Sequence, residues 1–235
     1  MIDTAIEVEL WQCPLNLPAA ALHQAYAVLS NDEIERARRY KFEYHRGRFI
    51  AARAFLRRTL AEHLSVSPRE IAFDYGPFGK PELSRRRPAD MLEFNLSHSG
   101  DMAILAVTRG PAVGVDLERI LHVPELQPIA ARFFSAHEIA ALNAVPPETR
   151  DFAFYCGWTR KEAFLKGLGN GLAHPLDSFD VSLAERSPRI LSIRDGTQSS
   201  ASWTLHHVCP RPGYVGALAV KGDGIRVAWQ GDLAN

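Results

Sequence analysis

A chain of 235 residues, 46% apolar and 23% charged, carries enough apolar material for one sizeable core or two small ones. Lys plus Arg and Asp plus Glu both number 27, and the zero net charge argues against broad nucleic-acid binding. Three scattered cysteines give no disulfide framework, the amino terminus lacks the basic and apolar regions of a signal peptide, and no apolar run approaches the ~20 residues that span a bilayer, so a cytoplasmic protein with no membrane partner is expected.

Ile6 to Gln12 alternates apolar and polar residues and predicts a strand, ended by Pro14 and Pro18. Ser30-Asn-Asp-Glu33 has the pattern of a capping box and predicts a helix to about Tyr40. Its second half, Glu35 to Lys41, concentrates positive charge, which suits a solvated face or an anion site. Phe49, Ala52, Leu56, Leu60 and Leu64 recur at helical spacing and predict a helix over 49–64. Ser67 to Glu70 predicts a short turn or helix with Pro at its first position, and Ile71 to Asp74 a short strand. Tyr75 to Pro81, with its glycines and prolines, predicts a loop. Glu93 to Leu96 leads to Ser97-His-Ser-Gly100. Met102 to Thr108 and Val113 to Leu117 read as apolar strands split by Arg109-Gly-Pro, a connection that suits a hairpin.

The second half opens at Pro124 with a helix through Phe134, and Ser135-Ala-His-Glu138 is another capping box. A helix is predicted over 152–166, stopping in a turn with Gly167, Gly169 and Gly171. Ser178 to Leu183 reads as a strand and Ser187 to Ser200 as a loop. Trp203 to Cys209 and Tyr214 to Val220 suit a hairpin, and Ile225 to Gln230 is a last strand. Ala103-Ile-Leu-Ala-Val107 and Gly216-Ala-Leu-Ala-Val220 echo one another, each following a long helix, and predict two similar α/β halves facing a cleft.

Three clusters carry chemistry. On the helix over 152–166, Trp158, Glu162 and Lys166 share one face, as a surface ion pair or as part of a site. In Val113-Gly-Val-Asp-Leu-Glu118, alternation presents Asp116 and Glu118 on the same side of a strand. Two such carboxylates are either solvated acids or a hard-cation site suited to Mg²⁺, to which Glu162 can add a third oxygen ligand. Ser97-His98-Ser99 at a strand end offers hydroxyls, an imidazole and backbone N–H groups to a phosphate, and without a GxSxG elbow a serine nucleophile is disfavoured.

Val113 to Glu118, followed after some forty residues by Trp158-Thr-Arg-Lys-Glu-Ala-Phe-Leu-Lys166, resembles the paired signature of 4′-phosphopantetheinyl transferases. Phe94-Asn-Leu-Ser-His-Ser-Gly100 and Gly79-Lys-Pro81 resemble two more blocks in the same order. Arg132-Phe-Phe-Ser135 and Pro175 to Phe179 resemble segments of the surfactin-synthetase-activating, Sfp-like subgroup. The resemblance runs from about residue 30 to 220 and implies an α+β fold of two similar halves, 1–110 and 111–235, in a monomer with the site between them.

The resemblance also implies the reaction: phosphopantetheine passes from coenzyme A to a serine hydroxyl of an apo carrier protein, releasing 3′,5′-ADP. Asp116, Glu118 and Glu162 are then expected to hold Mg²⁺, Glu162 to act as general base, and Lys166 to bind a phosphate and assist the leaving group. Coenzyme A is expected to meet Arg36, Lys80, Ser97, His98 and Lys166, with Asn95 contacting the nucleotide. Arg53 is a weaker candidate with a structural alternative, and Trp158 stays open between core and site. A Mg²⁺-dependent nucleotide phosphohydrolase and a non-catalytic coenzyme A or carrier-binding module are the competing functions.

Overall fold

The computed structural model describes residues 5–76, 79–84, 92–169, 175–184, 186–194, 196 and 198–232. Pro77 and Phe78 of the predicted loop, and Gly171 of the predicted helix stop, lie outside them.

One long helix and a sheet form each side of the molecule. The strands β1 (Ile6–Pro14), β4 (Leu92–Ser99), β5 (Met102–Arg109) and β11 (Ile225–Asp232) form a sheet in the order β11-β1-β5-β4. Helix α3 (Glu43–Leu64) covers one of its faces, where Phe55, Leu56 and Leu60 pack on Phe94, Leu105 and Val107. The second sheet has β6 (Val113–Arg119), β9 (Trp203–Val208) and β10 (Tyr214–Lys221) in the order β6-β10-β9. Helix α6 (Arg150–Leu168) packs on it through Ala163 and Phe164 against Leu205, Ala217 and Ala219. Between the sheets lies a third apolar layer in which Leu10, Ile104, Val115, Leu117 and Leu218 meet. The alternation along β5 makes this possible: Ala103, Leu105 and Val107 face α3, while Met102, Ile104 and Ala106 face the other sheet.

The echoed segments are thus the central strands of the two sheets, each backed by its long helix. The last strand departs from a simple division by sequence, since β11 pairs in parallel with β1 in the first sheet. The expected hairpin of Met102–Thr108 with Val113–Leu117 does not form. Both edges of β5 are taken, by β1 and β4, so β6 has no edge to join and pairs with β10 instead.

Smaller elements complete the chain. Helix α1 (Ala19–Ala27), after Pro18, has no counterpart among the predicted elements; α2 (Asn31–Arg38) carries the foreseen capping box. Helix α3 begins before Phe49 because its first turns, Glu43 to Arg46, are polar and show no apolar period. A hairpin of β2 (Phe73–Tyr75) and β3 (Pro81–Leu83) frames the Gly-Lys-Pro turn. Helices α4 (Leu126–Phe133) and α5 (Ala136–Ala144) precede α6, and β7 (Phe179–Val181) pairs with β8 (Ile190–Ile193), a strand inside the segment read as loop.

Candidate active site

The two halves of the site come from β6 and α6, and two glycines let them approach. On β6, Val113, Val115 and Leu117 point between the sheets, so Gly114, Asp116 and Glu118 point toward α6. A Cβ on Gly114 would overlap the Ala163 carbonyl oxygen and the Gly167 amide nitrogen. The last turns of α6 therefore rest directly on the β6 backbone. Helix α6 ends where Gly169 turns left-handed at φ 75°, and its amide bonds to the carbonyls of Leu165 and Lys166.

This contact brings Asp116, Glu118, Trp158, Glu162 and Lys166 to one open cavity of about 370 Å³, completed by Leu96, Ser97 and His98 from β4. Lys166 Nζ lies 2.5 Å from Asp116 Oδ1 and donates to Ser97 Oγ at 3.1 Å. Ser97 in turn donates to Asp116 Oδ1 at 2.9 Å. The alternative of a surface pair between Glu162 and Lys166 is not what forms, because Asp116 holds the ammonium. Burial, then the charge of Asp116, and also that of Glu118, push the Glu162 carboxyl above its usual range against the pull of Lys166. Glu118 is also raised, by burial first and by Asp116, although Ser99 donates to its Oε2 at 2.6 Å.

His98 projects into the cavity. Loss of water around the ring, then the charges of Lys166 and Arg48, hold its pKa below the ordinary histidine value. Arg48, absent from the sequence-derived set, sits on α3 with its Nε donating to Asn16 Oδ1 at 3.0 Å and its guanidinium over Tyr44. A basic residue in the helical run after Glu43 was visible in the sequence; its distance from the other motifs hid it.

The remaining expected site residues lie elsewhere. Asn95 is buried, and its Oδ1 accepts the Val115 N–H at 2.8 Å, so it ties β4 to β6 instead of lining the cavity. Lys80 donates to the Lys166 carbonyl at 2.7 Å, capping the end of α6; burial first, opposed by Glu93 and Glu82, lowers its pKa. Arg36 is exposed on α2 over the ring of Phe49, outside the cavity lining. Arg53 is structural: with Arg57 it brackets the buried Glu33 carboxylate. Trp158 serves both purposes, lining the cavity while packing on Phe133 and Phe154.

As the side chains stand, no group of three or more His, Cys, Asp or Glu among the described residues is arranged to hold a metal ion. The donor set still fits a hard divalent cation. Three carboxylates line one cavity, and Asp116 Oδ2 is buried without a hydrogen-bond partner.

Two family models divide the chain. Residues 17–110 match the 4′-phosphopantetheinyl transferase N-terminal family and 112–219 the 4′-phosphopantetheinyl transferase superfamily. The protein belongs to the 4′-phosphopantetheinyl transferase superfamily and is an enzyme of that transferase class. It is 39% identical over 224 residues to the 4′-phosphopantetheinyl transferase HetI of Nostoc sp., covering 95% of this chain and 90% of that one. It is 34% identical over 182 residues to a 4′-phosphopantetheinyl transferase of Bacillus subtilis, covering 77% and 78% of the two chains. The 4′-phosphopantetheinyl transferase Sfp of Bacillus subtilis is 33% identical over 167 residues, covering 71% and 72%. No helix among the described residues is long and apolar enough to cross a membrane.

Proposed function

We propose that the protein moves 4′-phosphopantetheine from coenzyme A to a serine hydroxyl of an apo carrier protein, with Mg²⁺, as a cytoplasmic monomer whose halves span residues 1–110 and 111–235. The observation that carries this is the meeting of Asp116, Glu118, Glu162 and Lys166, from β6 and α6, on one open cavity.

Asp116, Glu118 and Glu162 would hold the cation, which would neutralise charge on the pyrophosphate when bound. The two oxygens of Asp116 divide the work, with Oδ1 anchoring Lys166 and Ser97 and the unpartnered Oδ2 left for the metal. Glu162, made more basic by burial and then by its acidic neighbours, accepts the serine proton. The serine oxygen bonds to the phosphorus that carries the pantetheine, and the bond from that phosphorus to the bridging oxygen breaks. The electron pair leaves on 3′,5′-ADP, whose new charge Lys166 stabilises from its fixed place beside Ser97. Arg48 and Lys166 supply positive charge for the remaining phosphates, and the His98 ring an N–H donor.

Mass spectrometry of apo carrier proteins incubated with the enzyme, coenzyme A and Mg²⁺ tests the reading. A gain of one phosphopantetheine, absent with EDTA, is expected. Coenzyme A consumed without any gain across acyl, peptidyl and aryl carriers would overturn the reading in favour of hydrolysis.

A further inference from the structure

Three side chains of β4 reach the backbone of β6 at equal intervals. Asn95 Oδ1 accepts the Val115 N–H at 2.8 Å, Ser97 Oγ the Leu117 N–H at 3.2 Å and Ser99 Oγ the Arg119 N–H at 3.0 Å. Each rung links residues twenty positions apart, so the edges of the two sheets run side by side, joined by side chains. The serines have a second contact. Ser97 gives its hydrogen to Asp116 at 2.9 Å and Ser99 gives its hydrogen to Glu118 Oε2 at 2.6 Å. A hydroxyl has a single hydrogen, and accepting the amide turns that hydrogen toward the carboxylate one residue earlier on β6.

Ser97 lines the cavity and touches Lys166. Ser99 is not in the lining, and its hydroxyl bonds to Glu118 and the Arg119 N–H of β6, which makes Glu118 its route to the site. We propose that Ser99 is a positioning residue that presets Glu118 for the divalent cation. With Oε2 held by Ser99, Oε1 has no hydrogen-bonding partner among the described residues and is the oxygen offered to the ion. A glutamate side chain at a part-buried strand end still has several rotamers open to it, so fixing it beforehand removes part of the ordering that binding would otherwise require. The same serine ties Glu118 to the first sheet, so its orientation depends on how the two halves are joined. The inference rests on the cation reading above and assigns it a residue outside the ligand set.

The test is Mn²⁺ titration of the full chain, followed by electron paramagnetic resonance, without carrier or turnover. Ser99→Ala should weaken Mn²⁺ binding about 10-fold, at the lower end of the 10–100-fold typical when a group orienting a ligand is lost. Ser99→Thr, which keeps the hydroxyl, should restore it, and metal-free coenzyme A affinity should not change in either variant. In a Glu118→Gln background, Ser99→Ala should cause no further loss. If Ser99→Ala does not fold, Ser99→Cys, with a weak donor of similar size, takes its place. Wild-type affinity in the folded variant, or an undiminished loss in the Glu118→Gln background, would overturn the assignment. A wild-type protein that binds no Mn²⁺ would sink the cation reading itself and this inference with it.

Discussion

Lys166 Nζ is held 2.5 Å from Asp116 Oδ1, across the β6–α6 contact, and not by Glu162 one turn back on its own helix. One carboxylate thus anchors the ammonium proposed to stabilise the leaving group and still has an unpartnered oxygen. Substituting the two partners should act on metal binding in opposite directions. Asp116→Asn removes a ligand charge and should weaken Mn²⁺ binding. Lys166→Met removes a competing positive charge and should strengthen it. Both should lower the transfer rate, by roughly 10²–10³-fold, the usual cost of losing one preorganised electrostatic group. Mn²⁺ titration beside single-turnover transfer separates the two readouts, and equal weakening of metal binding by both variants would refute the shared role of Asp116.

A second prediction concerns protons. His98 is held below the ordinary histidine value because loss of water around the ring and the Lys166 and Arg48 charges oppose its protonated form. A bound polyphosphate offsets those charges and raises the pKa, so protons are taken up between the free and bound values. Coenzyme A binding should therefore tighten as pH falls through that interval. Calorimetry in buffers of different ionisation enthalpy should register the uptake, and His98→Gln should abolish it. Uptake that survives in the variant would assign the proton elsewhere.

The glycine contact gives a third prediction. Gly114→Ala places a methyl group where the backbone of Ala163 and Gly167 lies, and neither backbone atom can move like a flexible side chain. The variant should lose roughly 1–3 kcal/mol of stability, the range for overpacking a filled interior. Because α6 is pushed off β6, activity should fall further than stability, with Glu162 and Lys166 drawn away from Asp116. A calorimetric unfolding scan and a transfer assay on the same sample check both parts.

These positions also mark what was legible in sequence. Asp116, Glu118, Glu162, Lys166, Ser97 and His98 announced themselves through spacing on a strand, a helix face and a strand end, and all six line one cavity. The capping boxes at Ser30 and Ser135 mark real helix starts because their signal is local. The hairpin of Met102–Thr108 with Val113–Leu117 failed because a turn signal says nothing about which strand edges are already occupied. Asn95 shares its strand face with Ser97, yet its Oδ1 is taken by the Val115 N–H, two residues back along β6 from the amide that Ser97 meets, and it falls outside the lining. The partner of Lys166 was hidden as well, since helical spacing supplies a neighbour at four residues and cannot weigh it against a carboxylate arriving from another strand.

Away from the cavity, Asp101 links the turn after β4 to the start of β10. It accepts from Tyr214 at 2.5 Å and from Arg211 at 2.6 Å. The Tyr214 hydrogen bond first, then Arg211, lower its pKa from 3.8 to about 2. A depressed carboxyl contributes stability that is complete above its unfolded value and lost as pH falls through its folded value. The loss should therefore run from pH 3.8 down to about 2, and Asp101→Asn should flatten that part of the curve. Denaturant midpoints at successive acid pH values measure it; an unchanged slope in the variant would remove Asp101 from the acid transition.

The last prediction separates scaffold from chemistry inside the motif that also carries Glu162. Lys161 is fully buried, its Nζ 2.8 Å from Glu138 Oε1 and donating to the carbonyls of Leu176 and Phe179 at 2.7 and 2.6 Å. Glu138 closes the capping box of α5 with the Ser135 amide and accepts the Val181 N–H at 2.8 Å. The pair thus fastens α5, α6 and β7 behind the site. Burial lowers the Lys161 pKa, and Glu138 opposes the shift. Removing one partner strands the other charge in a dry interior, so Glu138→Ala should cost roughly 3–5 kcal/mol, as breaking a buried ion pair does. Replacing both by apolar residues leaves no stranded charge and should recover part of that loss, limited by the hydrogen bonds to Val181, Leu176 and Phe179 that go with them. A double-mutant cycle of Glu138→Leu and Lys161→Met, read by chemical denaturation, tests this. Strictly additive losses would mean that the two residues support the fold independently, and that the lysine beside Glu162 is not paired as the geometry requires.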